Sequence, residues 1–155
     1  MPSDLCGAGS LHRERIRSSP RFFGHPCCDT VFVVLDEDKP RMAGMVIAWV
    51  FLFFSFSYRW CDYSCAFVNW FISTDEKPDD DTGMWMVELE HDREWPIFQV
   101  IDVNSIAHGA HLLPIYGSSR VPEDFSHHDA LDWFQSFFVN KFMDHHTFEF
   151  LVDST

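Results

Sequence analysis

Six of the nine histidines fall in close pairs: His108 with His111, His127 with His128, and His145 with His146, with Asp129 and Asp144 beside the last two. Imidazole and carboxylate both ligate zinc, but a zinc site needs three or four such groups converging on one point. His108 and His111 could offer two imidazoles to one ion only on a helix, where residues three apart share a face. They are the candidate metal ligands of the chain, yet their spacing matches no zinc-site pattern, so neither a metal nor another cofactor is expected. The other two pairs fall at the two ends of an expected helix, about 27 Å apart at the helical rise, too far to share an ion. Histidines at a helix C-terminus also interact favourably with its dipole, which accounts for His145 and His146 without a ligand.

The remaining reactive groups are no more convergent. Cys61 and Cys65 flank an expected turn, and Cys27 and Cys28 adjoin His25, but a zinc ribbon shows two tight ligand pairs and this chain does not. Cys65 sits between Ser64 and Ala66 in an expected strand, the setting of a small buried hydrophobe. Asp79, Asp80 and Asp81 form an acid run without the alternating acids and closing Glu of a calcium loop, which makes a solvated surface loop the expectation. No Gly-x-Ser-x-Gly elbow, no cysteine–histidine signature and no phosphate-binding glycine loop occurs. No catalytic residue is therefore singled out, and an enzyme is not expected.

Charge narrows the partners. The formal net charge is −13, from 24 acidic and 11 basic side chains. Arg13, Arg15, Arg17 and Arg21 against Asp4 and Glu14 give the first 25 residues +2, which leaves −15 for the rest. A body of that sign repels phosphate, so naked nucleic acid and anionic membranes are not expected partners, whereas a basic protein surface is compatible. The short basic arm could touch an acidic partner through Arg13, Arg15 and Arg17. Five cysteines, an odd number, and an N-terminus with no apolar core region point to a reducing compartment, nuclear or cytoplasmic, and not to secretion.

These residues must be carried by elements legible in the periodicity. Residues 1–27 are punctuated by Gly7, Gly9, Pro20, Gly24 and Pro26 and read as an irregular basic arm; 28–155 reads as one β-rich domain. Residues 29–35 (DTVFVVL) predict the first strand. Residues 43–54 (AGMVIAWVFLFF) are nearly unbroken apolar, but shorter than the ~20 a spanning helix needs. Their aromatic and β-branched content predicts a central strand over 44–56 covered on both faces. Strict alternation would put Val46, Ala48, Val50, Leu52, Phe54 and Phe56 on one face. Residues 62–72 return as an antiparallel hairpin across a short connection. Residues 84–90 alternate, with Trp85, Val87 and Leu89 inward. Strands over 97–103 and 112–116 follow, with a single short turn, capped by Asn104 or Ser105 and running through Ala110, between them.

Ser126-x-x-Asp129 has the form of a capping box, and Leu131, Phe134, Phe138 and Phe142 recur at helical spacing. An amphipathic helix over about 127–145 is predicted. The fold class expected is α+β: a mainly antiparallel sheet, or a small SH3-like or BAH-like barrel, closed by that one C-terminal helix. Seventeen Phe and six Trp exceed what one small core readily hides, which raises the prospect of a partner face.

Seven blocks carry a family resemblance in order along the chain: 2–17 (PSDLCGAGSLHRERIR), 29–33 (DTVFV), 50–56 (VFLFFSF), 62–71 (DYSCAFVNWF), 81–87 (DTGMWMV), 110–117 (AHLLPIYG) and 138–146 (FVNKFMDHH). They resemble the C-terminal region of proteins encoded by Plavaka-type, CACTA-like transposable elements of basidiomycete fungi. In such elements the nuclease core lies upstream, so the resemblance implies a non-catalytic accessory domain or gene fragment and supplies no catalytic residue. A long apolar strand in a helix-closed barrel is similar, as fold analogy only, to BAH-type chromatin readers. On that alternative Trp49, Trp60, Trp70 and Trp85 would join the basic arm in contacting chromatin, with Trp60 and Trp85 the leading binding residues. Metal-dependent hydrolysis through His108 and His111 is the remaining alternative.

Overall fold

The computed structural model describes residues 15–22, 25–35, 45–117, 120, 123 and 130–142. β1 (Ser18–Phe22) and β2 (His25–Cys28) pair antiparallel, so the stretch expected to be irregular holds a hairpin over its described part. Asp29 fastens that hairpin to the main sheet. Its amide donates to the Arg17 carbonyl at 2.9 Å, its carboxylate accepts from the Arg17 amide at 2.7 Å, and its carbonyl accepts from the Val50 amide at 3.0 Å.

β3 (Thr30–Val34), β4 (Met45–Tyr58) and β5 (Cys61–Ser73) follow as an antiparallel meander, then β6 (Met86–Leu89). A small hairpin of β7 (His91–Asp92) and β8 (Trp95–Pro96) leads to β9 (Phe98–Asp102). Asn69, almost fully buried, anchors the excursion: its amide donates to the Ile97 carbonyl at 2.7 Å and the Glu90 carbonyl at 3.3 Å. The Asp102 carboxylate then accepts from the Asn104 amide at 2.7 Å and caps a single 3-10 turn, Val103–Ser105. β10 (Ile106–Ala110) and β11 (Leu112–Pro114) complete this half. The turn expected to run to Ala110 is thus a strand from Ile106.

The strand order is β10–β3–β4–β5–β6–β12–β11, where β12 is Ser136–Val139. Only His111 separates β10 at one end of that order from β11 at the other, so the sheet curls into a nearly closed barrel. β5 is its longest seam. It pairs with β4 along one edge, and on the other with β9 over residues 65–69 and β6 over 71–73. The mainly antiparallel sheet expected from the strand pattern is therefore present, and it forms a nearly closed barrel.

The helix expected to close it is not. Helix among the described C-terminal residues is a single turn, α1 (Ala130–Trp133), and Ser136–Val139 is a strand hydrogen-bonded to β6 on one side and β11 on the other. Residues 127–129 and 143–145 of the expected helix lie outside the described residues. Phe137 and Val139 are buried while Ser136 and Phe138 are less so, a period of two and not 3.6. The physical reason is the edge of β6: a helix laid over it would leave its backbone groups unpaired, and β12 satisfies them while joining β11 to the barrel.

Alternation sorts the core into two layers. Phe32, Met45, Ile47, Phe71, Val87, Phe137 and Val139 pack inside the barrel. Val31, Val33, Ala48, Val50, Ala66, Val68 and Trp70 form a second layer on the outer face of β3–β5, flanked by Ile16, Ile101, Val103 and Ile106. The central strand is covered on both faces only as far as Val50; beyond it Leu52 and Phe56 are exposed, so the expectation of a strand covered throughout holds for its first half alone, and alternation is not strict. Val50 pairs with Val68 and Leu52 with Phe67, so a β-bulge at Phe51 reverses the parity of everything beyond it. Phe53 consequently joins the layer of Val50, and Leu52 leaves it.

Candidate functional site

Beyond the bulge, β4 and β5 run on past the barrel as a two-stranded ribbon. Phe54 pairs with Cys65, Phe56 with Tyr63 and Tyr58 with Cys61, all on the face that continues the barrel interior; Ser55 with Ser64 and Ser57 with Asp62 occupy the opposite face. One face is therefore an aromatic ladder and the other is polar, with the Ser57 hydroxyl donating to the Asp62 carboxylate. Phe56 stacks on Tyr63 at 5.2 Å and 19° between rings, and on Phe54 at 6.4 Å and 21°. Toward the barrel the ladder continues in Phe67, stacked on Phe98 of β9 at 4.9 Å, and in Phe51, edge-on to Phe98 at 5.3 Å.

The ribbon ends in a two-residue turn. Arg59 and Trp60 both have positive φ, 48° and 66°, between the paired Tyr58 and Cys61. This is the pattern of a type I′ turn, whose twist suits a hairpin but whose backbone favours Asn-Gly. A side chain in the left-handed region costs about 1–2 kcal/mol. Here the cost falls on a guanidinium that lies 5.2 Å over the Tyr58 ring and on an indole fully in solvent.

The candidate binding residues do not converge. Trp60 stands at this tip. Trp85 precedes β6, beyond the far end of β5, so up to about 40 Å of strand separates them at the β rise per residue. Trp85 packs against the barrel interior, with its indole N–H buried and unpartnered. Trp49 donates from Nε1 to the Cys28 carbonyl at 3.1 Å, and Trp70, buried, donates to Gln99 Oε1 at 2.8 Å. Three of the four tryptophans thus serve packing, and Trp60 alone projects. Arg15 and Arg17 are exposed, with the Arg17 backbone tied to Asp29; Arg13 lies outside the described residues.

The histidine pair diverges too. His108 lies in β10 and His111 in the one-residue link to β11, so the helix that would put both on one face is absent. His108 lies against Phe32, ring centroids 4.8 Å apart, with Nδ1 2.7 Å from the Gly109 carbonyl, while exposed His111 meets the Asn140 amide at 3.0 Å. His127, His128, His145 and His146 lie outside the described residues. Cys61, exposed, and Cys65, buried, are free thiols. In the acidic loop, Asp79 accepts from both the amide and the hydroxyl of Thr82, at 2.9 and 2.8 Å, and Lys77 pairs with Asp80 at 2.8 Å. These bonds to Thr82, the hydroxyl's above all, hold the Asp79 carboxyl below its ordinary pKa. No group of three or more potential ligands is assembled among the described residues.

The ribbon face was missed in the sequence because an unbroken apolar run predicts a strand covered on both faces, whereas β4 and β5 outrun the strands that cover them and leave Leu52, Phe56 and Tyr58 exposed. Its one advance signal was the excess of Phe and Trp. Set against protein-family models, curated proteins and solved structures, the chain matches none.

Proposed function

We propose that this chain is a non-catalytic interaction module of fungal transposable-element origin, which engages protein through the aromatic face of the β4–β5 ribbon. The observation that carries the reading is the ribbon itself: stacked aromatics on one face, serines on the other, and a fully exposed Trp60 held on a strained turn. Strain and exposed apolar surface both cost stability, and they persist where a contact recovers them. The ordered sequence blocks support the transposable-element origin. The −13 charge supports a protein over a nucleic-acid partner. The chromatin alternative has less behind it, since three of the four tryptophans it needs are committed to packing.

The test is direct. Purified protein incubated with supercoiled plasmid and magnesium or manganese is expected neither to cut nor to join DNA. Strand cleavage or transfer that survives repurification would overturn the non-catalytic reading.

A further inference from the structure

We infer that the aromatic face of the ribbon is a homodimer interface, covered by the same face of a second copy of this chain. The inference rests on the interaction reading above and names its partner. Three observations on one face lead to it.

The first is area. Leu52, Phe56, Tyr58, Tyr63, Phe98 and Val100 each leave 40–56% of their surface in water, and Trp60 all of it. With about 200 Å² per aromatic side chain, the face exposes roughly 500 Å² and Trp60, at its adjoining tip, about another 200 Å². The largest apolar patch on a typical monomer is about 300–600 Å², and a stable interface takes about 800 Å² from each partner. Two such faces with their tips together supply about 1,400 Å², inside the range of specific interfaces.

The second is charge. Asp62 belongs to the serine face. The aromatic face has Arg59 at its tip and Asp102, paired with Cys65, at its root, and balances to zero. The acidic loop 75–81 follows the far end of β5. In a chain of net charge −13, this is a face that a second, equally acidic copy can approach without bringing carboxylates together. A basic peptide finds no row of carboxylates here to reward it.

The third is shape. The face is a three-stranded surface of β4, β5 and β9, ordered by ring stacks at 4.9–6.4 Å. Sheets pack face to face at about 10 Å through interdigitating side chains, and an isologous pair presents each face to its own copy.

The experiment is sedimentation velocity on the full chain from about 1 to 100 µM. It compares wild type with Tyr63→Glu, Phe56→Glu and the control Ser64→Glu. Tyr63 and Ser64 are exposed neighbours on opposite faces, so the two glutamates add the same charge to the same strand. Wild type and Ser64→Glu are expected to dimerise, and Tyr63→Glu and Phe56→Glu to weaken the dimer at least about 30-fold, the loss of a central anchor. Circular dichroism on each variant separates lost association from lost folding. A wild-type monomer at 100 µM overturns the inference, as does a dimer that Ser64→Glu weakens equally with Tyr63→Glu. So does a monomer that sediments with phosphatidylcholine vesicles and loses that on Tyr63→Glu, which assigns the face to a bilayer. None of these outcomes touches the DNA-cleavage test, so the two readings fail separately.

Discussion

Arg59 and Trp60 are the residues at which stability and contact pull apart. Both occupy the left-handed region at a hairpin turn where Asn-Gly would sit without strain. Replacing them as Arg59→Asn with Trp60→Gly is expected to stabilise the fold by about 2 kcal/mol. For a domain of this size that raises Tm by about 4–8 °C. The same variant is expected to associate more weakly, because the exposed indole is gone. Thermal unfolding and sedimentation on one preparation check both; a lower Tm would show that the turn is not strained. Asp79 gives a pH prediction at this scale. Its carboxylate is held below the ordinary pKa by Thr82, so its contribution to loop order is complete above the unfolded-state pKa. That contribution is lost as pH falls through the lowered folded value. In an acid NMR titration the Thr82 and Gly83 amides should follow Asp79 at a pH below that of an unperturbed aspartate, and Thr82→Val should move the midpoint up. A midpoint already at or above the ordinary value would contradict the Thr82 bonds.

Among elements, β12 carries the most, because it joins β6 to β11 and so turns a sheet into a barrel. Phe137 is its buried anchor, edge-on to Phe71 at 5.9 Å. Phe137→Ala is expected to cost about 3–5 kcal/mol in urea unfolding, and Phe138→Ala, on the less buried face, much less. Equal costs would mean the period is not two. This is also the element least legible in the sequence. Phe134, Phe138 and Phe142 fall on a helical stripe, yet Phe137 and Val139 alternate, and a short aromatic run carries both periods. The open edge of β6, invisible locally, decides between them. β3, β4, β5 and β6 were legible because their alternation or length admits one reading, and the short β4–β5 connection dictated an antiparallel pair. The bulge at Phe51 was not, because an extra residue in a run of Val, Phe and Leu changes parity without changing composition. Of the candidate site, the exposed Trp60 was legible as an aromatic beside a turn. Its distance from Trp85, and the divergence of His108 from His111, depend on the strand pairing and were not.

At the scale of the molecule, the described residues of this acidic chain form a nearly closed barrel, and a near-neutral aromatic face extends from it along β4 and β5. The described residues contain no helix long and apolar enough to cross a membrane, and the most apolar stretch of the chain is the strand that supplies both barrel wall and ribbon. A net charge of −13 makes two copies repel at long range, and salt screens that repulsion within about 10 Å at 0.1 M. Apolar contact between the ribbon faces is not screened. The most direct measurement is therefore the self-association constant by sedimentation equilibrium at about 50 mM and 500 mM sodium chloride. The account expects a dimer that tightens as salt rises. A complex that dissociates as salt rises would show that charge, and not the aromatic face, holds the copies together.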